Sequence, residues 1–189
     1  VRQRTLCRAA RDRENFYFFF RSMEPETAKL RAPSREKDAP EVWQDTCLEL
    51  FLASARNAES GYQFIINSAG SSSDNRFGAG YADWKWDGGA EFKTHVEPGK
   101  YWDLEIRIPR RNVNMLSGGS IMMNVCRHRV VDGEKNSYDT WSPFVTGSNH
   151  KVSAYGELLF QAPEDNNLID TPDFDKPVRG KRFIGRWFA

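Results

Sequence analysis

Residues Tyr101-Trp102-Asp103-Leu104-Glu105-Ile106-Arg107-Ile108-Pro109 alternate apolar and charged side chains without a break from Trp102 to Ile108. Successive side chains of a β-strand point to opposite faces. Trp102, Leu104, Ile106 and Ile108 therefore share a core face, and Asp103, Glu105 and Arg107 share a solvated one. Pro109 ends the ladder because it has no N–H to donate. Ahead of this strand, Glu97-Pro98-Gly99-Lys100 is turn chemistry: proline presets φ and glycine accepts positive φ. With 91–96 as its partner, the segment 91–108 reads as a β-hairpin.

The period of two recurs outward from that hairpin. Residues 6–10 and 16–20 make two short strands around the polar turn Asp12-Arg13-Glu14-Asn15. In 46–52, Leu48, Leu50 and Leu52 fall on one face and Cys47, Glu49 and Phe51 on the other. Residues 62–67 form a strand, followed by a serine-rich loop over 68–74. Further strands are predicted over 120–129 and 154–161. Helix is scarce: a turn or two over 25–31, and another over 110–116 closed by Gly118-Gly119. The charged, proline-containing stretch 22–42 reads as a long loop. Many short strands punctuated by Gly, Pro, Ser and Asn predict an all-β fold, a two-sheet antiparallel β-sandwich of jelly-roll or immunoglobulin-like type.

The 189 residues fit one domain, 1–161, with a tail or linker over 162–189 in which basic and aromatic residues alternate. That tail either binds a partner or straps its own domain. Lys and Arg total 27 against 26 Asp and Glu. This balance gives no general electrostatic pull toward nucleic acid. No apolar run approaches the roughly 20 residues of a membrane span. The mean hydropathy of −0.68 is polar, yet 13 Phe, 6 Trp and 6 Tyr supply bulky core material. Cys7, Cys47 and Cys126 show no metal or redox spacing, and free thiols are expected.

Six segments carry a family resemblance in order. Asp12-Arg13-Glu14-Asn15-Phe16-Tyr17-Phe18 resembles a D-x-x-N-L-Y hairpin. The stretch from Val42-Trp43-Gln44-Asp45 to Leu52 resembles W-x-D-D-x-V-E-x-F-L. Tyr62-Gln63-Phe64-Ile65-Ile66-Asn67 with Gly70 resembles Y-x-F-x-x-N-x-x-G. Trp102 to Pro109 resembles W-x-x-E-x-x-I-P, and Asn124-Val125-Cys126-Arg127 resembles N-x-x-R. Trp141-Ser142-Pro143 with Tyr155-Gly156-Glu157-Leu158-Leu159-Phe160 resembles W-S-P … F-G-x-L-x-F. Together, over about residues 5–161, they resemble the carbohydrate-binding module family 9-like domains, among the DOMON-like sandwiches. The family's usual opening strand, I-D-G-x-x-D-x-x-W, has no counterpart before Thr5.

In that family two tryptophans clamp a sugar, and charged side chains hydrogen-bond its hydroxyls. The resemblance implies Trp43 and Trp141 as the clamp, with Glu49 as polar partner. Arg76, Asn124 and Arg127 complete the expected carbohydrate-binding set. Each residue also has a plain reading: a core-edge aromatic, a structural ion pair, or a sheet-edge charge. Tyr81, Trp84 and Trp86 form a second aromatic cluster, read as core filling or a secondary platform, with Trp84 and Trp86 two apart on one strand face.

The resemblance implies a non-catalytic module of a larger secreted or envelope-associated bacterial protein, periplasmic or extracellular. Its partners would be a glycan or oligosaccharide and other domains of the same polypeptide. A structural or interaction module without sugar affinity is one alternative, and a glycan-active enzyme another. For the latter, Asp103 and Glu105 share a strand face, but Arg107 follows on it, as on a charged solvent face. No nucleophile elbow or zinc-protease motif is present. Related modules hold structural calcium, and Asp74, Asp83, Asp87 and Asp165 are the loop carboxylates available for it.

Overall fold

A computed structural model describes residues 3–142 and 148–160. Eleven strands among these residues form two antiparallel sheets. The four-stranded sheet has the order β1 (Thr5–Arg11), β2 (Asn15–Met23), β8 (Tyr101–Pro109), β7 (Glu91–Glu97). The larger sheet has seven strands. It runs β10 (Ser137–Thr140), β9 (Ser120–Arg129), β3 (Cys47–Ala53), β4 (Gly61–Asn67), β5 (Ser72–Gly78), β6 (Tyr81–Asp83). The last strand, β11 (Gly156–Leu159), pairs with the first part of β9, from Ser120 to Met123, while β10 pairs with its last part.

The alternating stretch behaves as its pattern dictates. Trp102, Leu104, Ile106 and Ile108 are buried, facing Phe16, Phe18 and Phe20 on neighbouring β2 and Leu48, Leu50, Leu52, Phe64 and Ile66 of the other sheet. This sandwich core is the main stabilising element, because apolar burial contributes about 25 cal/mol per Å². At one end of it, Glu24, just beyond β2, accepts hydrogen bonds from Arg127 Nη2 at 3.0 Å and Arg129 Nε at 2.6 Å, both on β9. This buried ionic cluster ties one sheet to the other. Burial pulls the Arg127 guanidinium down to about 10.

Three expectations are corrected. The loop over 68–74 is shorter, since β5 starts at Ser72. The expected helix over 110–116 is a set of turns, closed by Arg110, whose guanidinium donates to the carbonyls of Met115 and Leu116. The strand over 154–161 is confined to Gly156–Leu159, preceded by a 3-10 turn at Val152–Ala154. Leu158 and Phe160 are half-buried against the core rather than inside it, because β11 lies at the sheet's edge. The tail over 162–189 lies outside the described residues.

The outer face of the seven-stranded sheet is also apolar in part. Phe51, Ala53, Phe77, Met122 and Cys126 are covered there by Val152 and Tyr155. For this reason all seven residues of β3 are buried, not only the leucine face. Cys47 and Cys126 lie on this outer face as free thiols. Beside that cover, the described residues leave a cavity over the neighbouring part of the face.

Candidate functional site

The strand registers place one row of side chains across that outer face: Cys126 on β9, Glu49 on β3, Ile65 on β4 and Ser73 on β5. The next row holds Asn124, Phe51, Gln63 and Asn75. Above them is a cavity of about 410 Å³, within the usual range of ligand pockets. Glu49, Phe51, Gln63 and Ile65 line it from the sheet. Trp43, Trp84 and Tyr138 line it from the surrounding segments, and residues 148–150 close another side.

Trp43 sits in a 3-10 turn, Val42–Gln44. Val42 is buried beside Cys47 and Ile65 and anchors that turn, leaving the indole 48% exposed. The loop is fastened twice more. His128 Nδ1 lies 2.8 Å from the Trp43 carbonyl oxygen, which can only accept. Asp45 is gripped by Arg35 through two bonds of 2.8 Å and by Asn67 Nδ2 at 3.0 Å. A large aromatic ring on a fixed turn is thus held out over the sheet.

Trp84 arrives from the opposite edge. Trp86 turns inward, its ring centroid 4.9 Å from that of Tyr62 and 5.8 Å from that of Phe64. The chain between Asp83 and Trp86 is a turn, held by the Trp86 N–H on the Asp83 carbonyl at 3.4 Å. Strand parity therefore fails here, and the two indoles part: Trp86 joins the core and Trp84 stays 44% exposed at the cavity.

Glu49 is 4% exposed. Gln63 Nε2 donates to its Oε2 at 2.6 Å. Gln63 Oε1 in turn accepts from Asn75 Nδ2 at 2.8 Å and from His150 Nε2 at 3.0 Å. That fixes the histidine tautomer with a proton on Nε2, since an amide oxygen cannot donate. The ring of His150 stands edge-on to Phe51 and Phe77, and burial lowers its pKa, favouring the neutral form. Burial likewise pushes the Glu49 carboxyl up to about 7, with the Gln63 bond opposing the shift. Glu49 Oε1, Ser73 Oγ and Asn75 Oδ1 are buried without a hydrogen-bond partner among the described residues. Such polar atoms are costly unless something satisfies them.

Of the expected site residues, Trp43 and Glu49 come together at this cavity. Four do not line it. Trp141 packs against the sandwich core and over Gly156, where an added Cβ would lie 2.4 Å from the indole. Arg127 pairs with Leu48 of the core face and is spent on Glu24. Arg76 pairs with Tyr62 rather than Gln63, so it points away from the outer face, and its Nη2 lies 3.4 Å from Asp83. Asn124 is on the outer face, but its Oδ1 accepts from the backbone N–H of Ser142 at 2.9 Å and holds that loop. Gln63, Tyr138 and His150 line the cavity although the sequence reading did not name them for it, and so does Trp84, which that reading gave as core filling or a secondary platform.

Among the described residues, Asp74, Asp83 and Asp87 do not assemble a cation cage. Asp83 faces Arg76, Asp87 accepts from Lys37 Nζ at 2.6 Å, and Asp74 Oδ2 accepts the Gly88 N–H at 3.1 Å. No group of three or more acidic, histidine or cysteine side chains among the described residues is arranged to hold a metal. Asp165 lies outside the described residues. The Asp103 carboxylate, considered for catalysis, is held by Arg21 through bonds of 2.9 and 2.8 Å on the other sheet.

No protein-family model matches the sequence, and no curated protein matches it. Solved structures do match in fold. A Bacteroides uniformis protein to which carbohydrate binding has been ascribed superimposes with a TM-score of 0.65 at 19% identity, over 85% of this chain and 80% of that one. A family 9 carbohydrate-binding module of Caldicellulosiruptor kristjanssonii in complex with glucose gives 0.64 at 14% identity, over 90% and 82%. The same organism's module with cellotriose gives 0.64 at 11% identity, over 92% and 83%. The shared property at these identities is the fold, that of the family 9 modules.

Proposed function

We propose that this domain binds a carbohydrate, without catalysis, in the cavity between Trp43 and Trp84, with Glu49 and Gln63 at its floor. The observation that carries this reading is the pairing of exposed indoles with an orphaned acceptor. Two large aromatic side chains stand exposed at one cavity, and Glu49 Oε1, on a lining side chain, is buried without a partner among the described residues. A sugar ring offers both complements: apolar C–H faces for the rings and hydroxyl donors for the acceptor. Hydroxyl-to-carboxylate bonds are among the strongest available.

Glu49 is the one carboxylate among the described lining residues. Glycoside hydrolysis ordinarily uses two, about 5–9.5 Å apart. This favours retention of a glycan over cleavage of it. The fold's likeness to sugar-complexed modules supports the same reading and extends it to a setting: a domain of a larger secreted or envelope-associated protein that concentrates its neighbours on a polysaccharide. Titration calorimetry against a panel of oligosaccharides tests the proposal, with Trp43→Ala as the site variant. Binding that vanishes in the variant, with folding intact, supports it. Binding by neither protein favours a purely structural module.

A further inference from the structure

We propose, resting on the reading above, that the cavity prefers a cationic sugar unit: an amino sugar carrying a free ammonium group, as in a deacetylated aminoglycan. The charge inventory points there first. Among the described lining residues Glu49 is the one acidic side chain, His150 is neutral, and none is a lysine or arginine. The arginines that the family resemblance would have supplied, Arg76 and Arg127, are turned to the other side of the sheet and paired with Asp83 and Glu24. An anionic sugar would therefore meet a carboxylate with no counter-charge beside it. A neutral sugar would leave that carboxylate uncompensated.

The hydrogen-bonding inventory points the same way. On the lining side chains, the buried polar atom that lacks a partner among the described residues is Glu49 Oε1, an acceptor. An ammonium has three donors and no acceptor. The walls complete the match: Trp43, Trp84 and Tyr138 present aromatic rings, whose π-electron faces attract cations, more strongly when desolvated. Indoles and a phenol around one carboxylate are the elements by which proteins hold amines. A sugar backbone carrying the amine adds the stacking surface.

Three tetrasaccharides that share a β-1,4-linked glucan backbone and differ only at C2 separate the possibilities: free amine, N-acetyl, and hydroxyl. Calorimetric titration near neutral pH should show the free-amine tetramer binding about tenfold or more tightly than the other two, equivalent to about 1.4 kcal/mol. Glu49→Gln should shrink the difference to within about twofold. As a check independent of that variant's folding, added salt should weaken the amine tetramer's binding to the wild-type protein and leave the hydroxyl tetramer's unchanged. Equal or tighter binding of the hydroxyl or N-acetyl tetramer overturns the cationic preference and leaves carbohydrate binding standing. A preference that survives in Glu49→Gln also overturns it. Failure of all three tetramers, in a protein that also binds nothing in the wider oligosaccharide panel, overturns both readings.

Discussion

Gln63 reaches diagonally from β4 to β3 and donates its side-chain N–H to Glu49 Oε2 at 2.6 Å, while Oε1 has no partner among the described residues. Asn75 and His150 orient that amide from behind. A buried carboxylate with one oxygen fixed and the other unused is poorly satisfied in the free protein. Glu49 lines the cavity, and a donor that reached Oε1 from there would satisfy it.

The same arrangement makes stability depend on pH. Glu49 titrates near 7 in the folded protein against an ordinary 4.5. Between those values the native state binds more protons than the unfolded chain, so stability falls as pH rises from about 4.5 and levels off above about 7. Glu49 can contribute up to roughly 3 kcal/mol to that fall, at about 1.4 kcal/mol per pH unit. Asp74, pushed up to about 6 mainly by burial, adds a change of the same sign. Urea denaturation across this range should show the slope, and Glu49→Gln should reduce it clearly. An unchanged slope in the variant would remove Glu49 from the account.

Leu50 lies in the sandwich core at 1% exposure. Leu50→Ala should cost about 2–5 kcal/mol through lost transfer energy and a residual cavity. A chemical denaturation curve with its midpoint unmoved would mean the two sheets do not pack as described.

Glu24→Gln should be costly for a different reason. It leaves Arg127 and Arg129 buried beside a neutral amide, a loss of about 3–5 kcal/mol by analogy with other broken buried pairs. Oligosaccharide affinity of the folded fraction should stay within about twofold, because neither arginine lines the cavity. Selective loss of binding with unchanged stability would return Arg127 to the site.

Much of this was legible in the sequence because strand parity is strict. The run from Trp102 to Ile108 and the leucines of β3 announce both sheets' inner faces. Trp43 and Glu49 are legible through the segment that leads from loop to strand. Parity also argues against Asn124 and Arg127 in one site: three residues apart on a strand, they must point to opposite faces. Gln63 carried a signal too, as a polar residue within Tyr62-Gln63-Phe64-Ile65-Ile66 on the face opposite Phe64. Trp84 was hidden because β6 ends at Asp83 and the turn that follows does not preserve a period of two. For Trp141, resemblance located the residue but not its packing against Gly156. His150 carried no local pattern that would mark it.

That packing gives its own test. Gly156→Ala would thrust a Cβ to within 2.4 Å of the Trp141 ring, and should destabilise the domain by about 1–3 kcal/mol through overpacking. Trp141→Ala should likewise lower the melting temperature while sparing oligosaccharide affinity. A Trp141→Ala protein with wild-type stability and no affinity would restore Trp141 as a clamp.

The central claim, that the cavity between Trp43 and Trp84 is where a glycan binds, is tested most directly by calorimetric titration of the wild type, Trp43→Ala and Trp84→Ala with the best ligand of the oligosaccharide panel. Both tryptophans are nearly half exposed and outside the sandwich core, so both variants should keep the wild-type melting temperature within a few degrees. Each should lose at least tenfold in affinity, or about 1.4 kcal/mol. Undiminished binding in both variants would place the sugar elsewhere on the molecule and contradict the account.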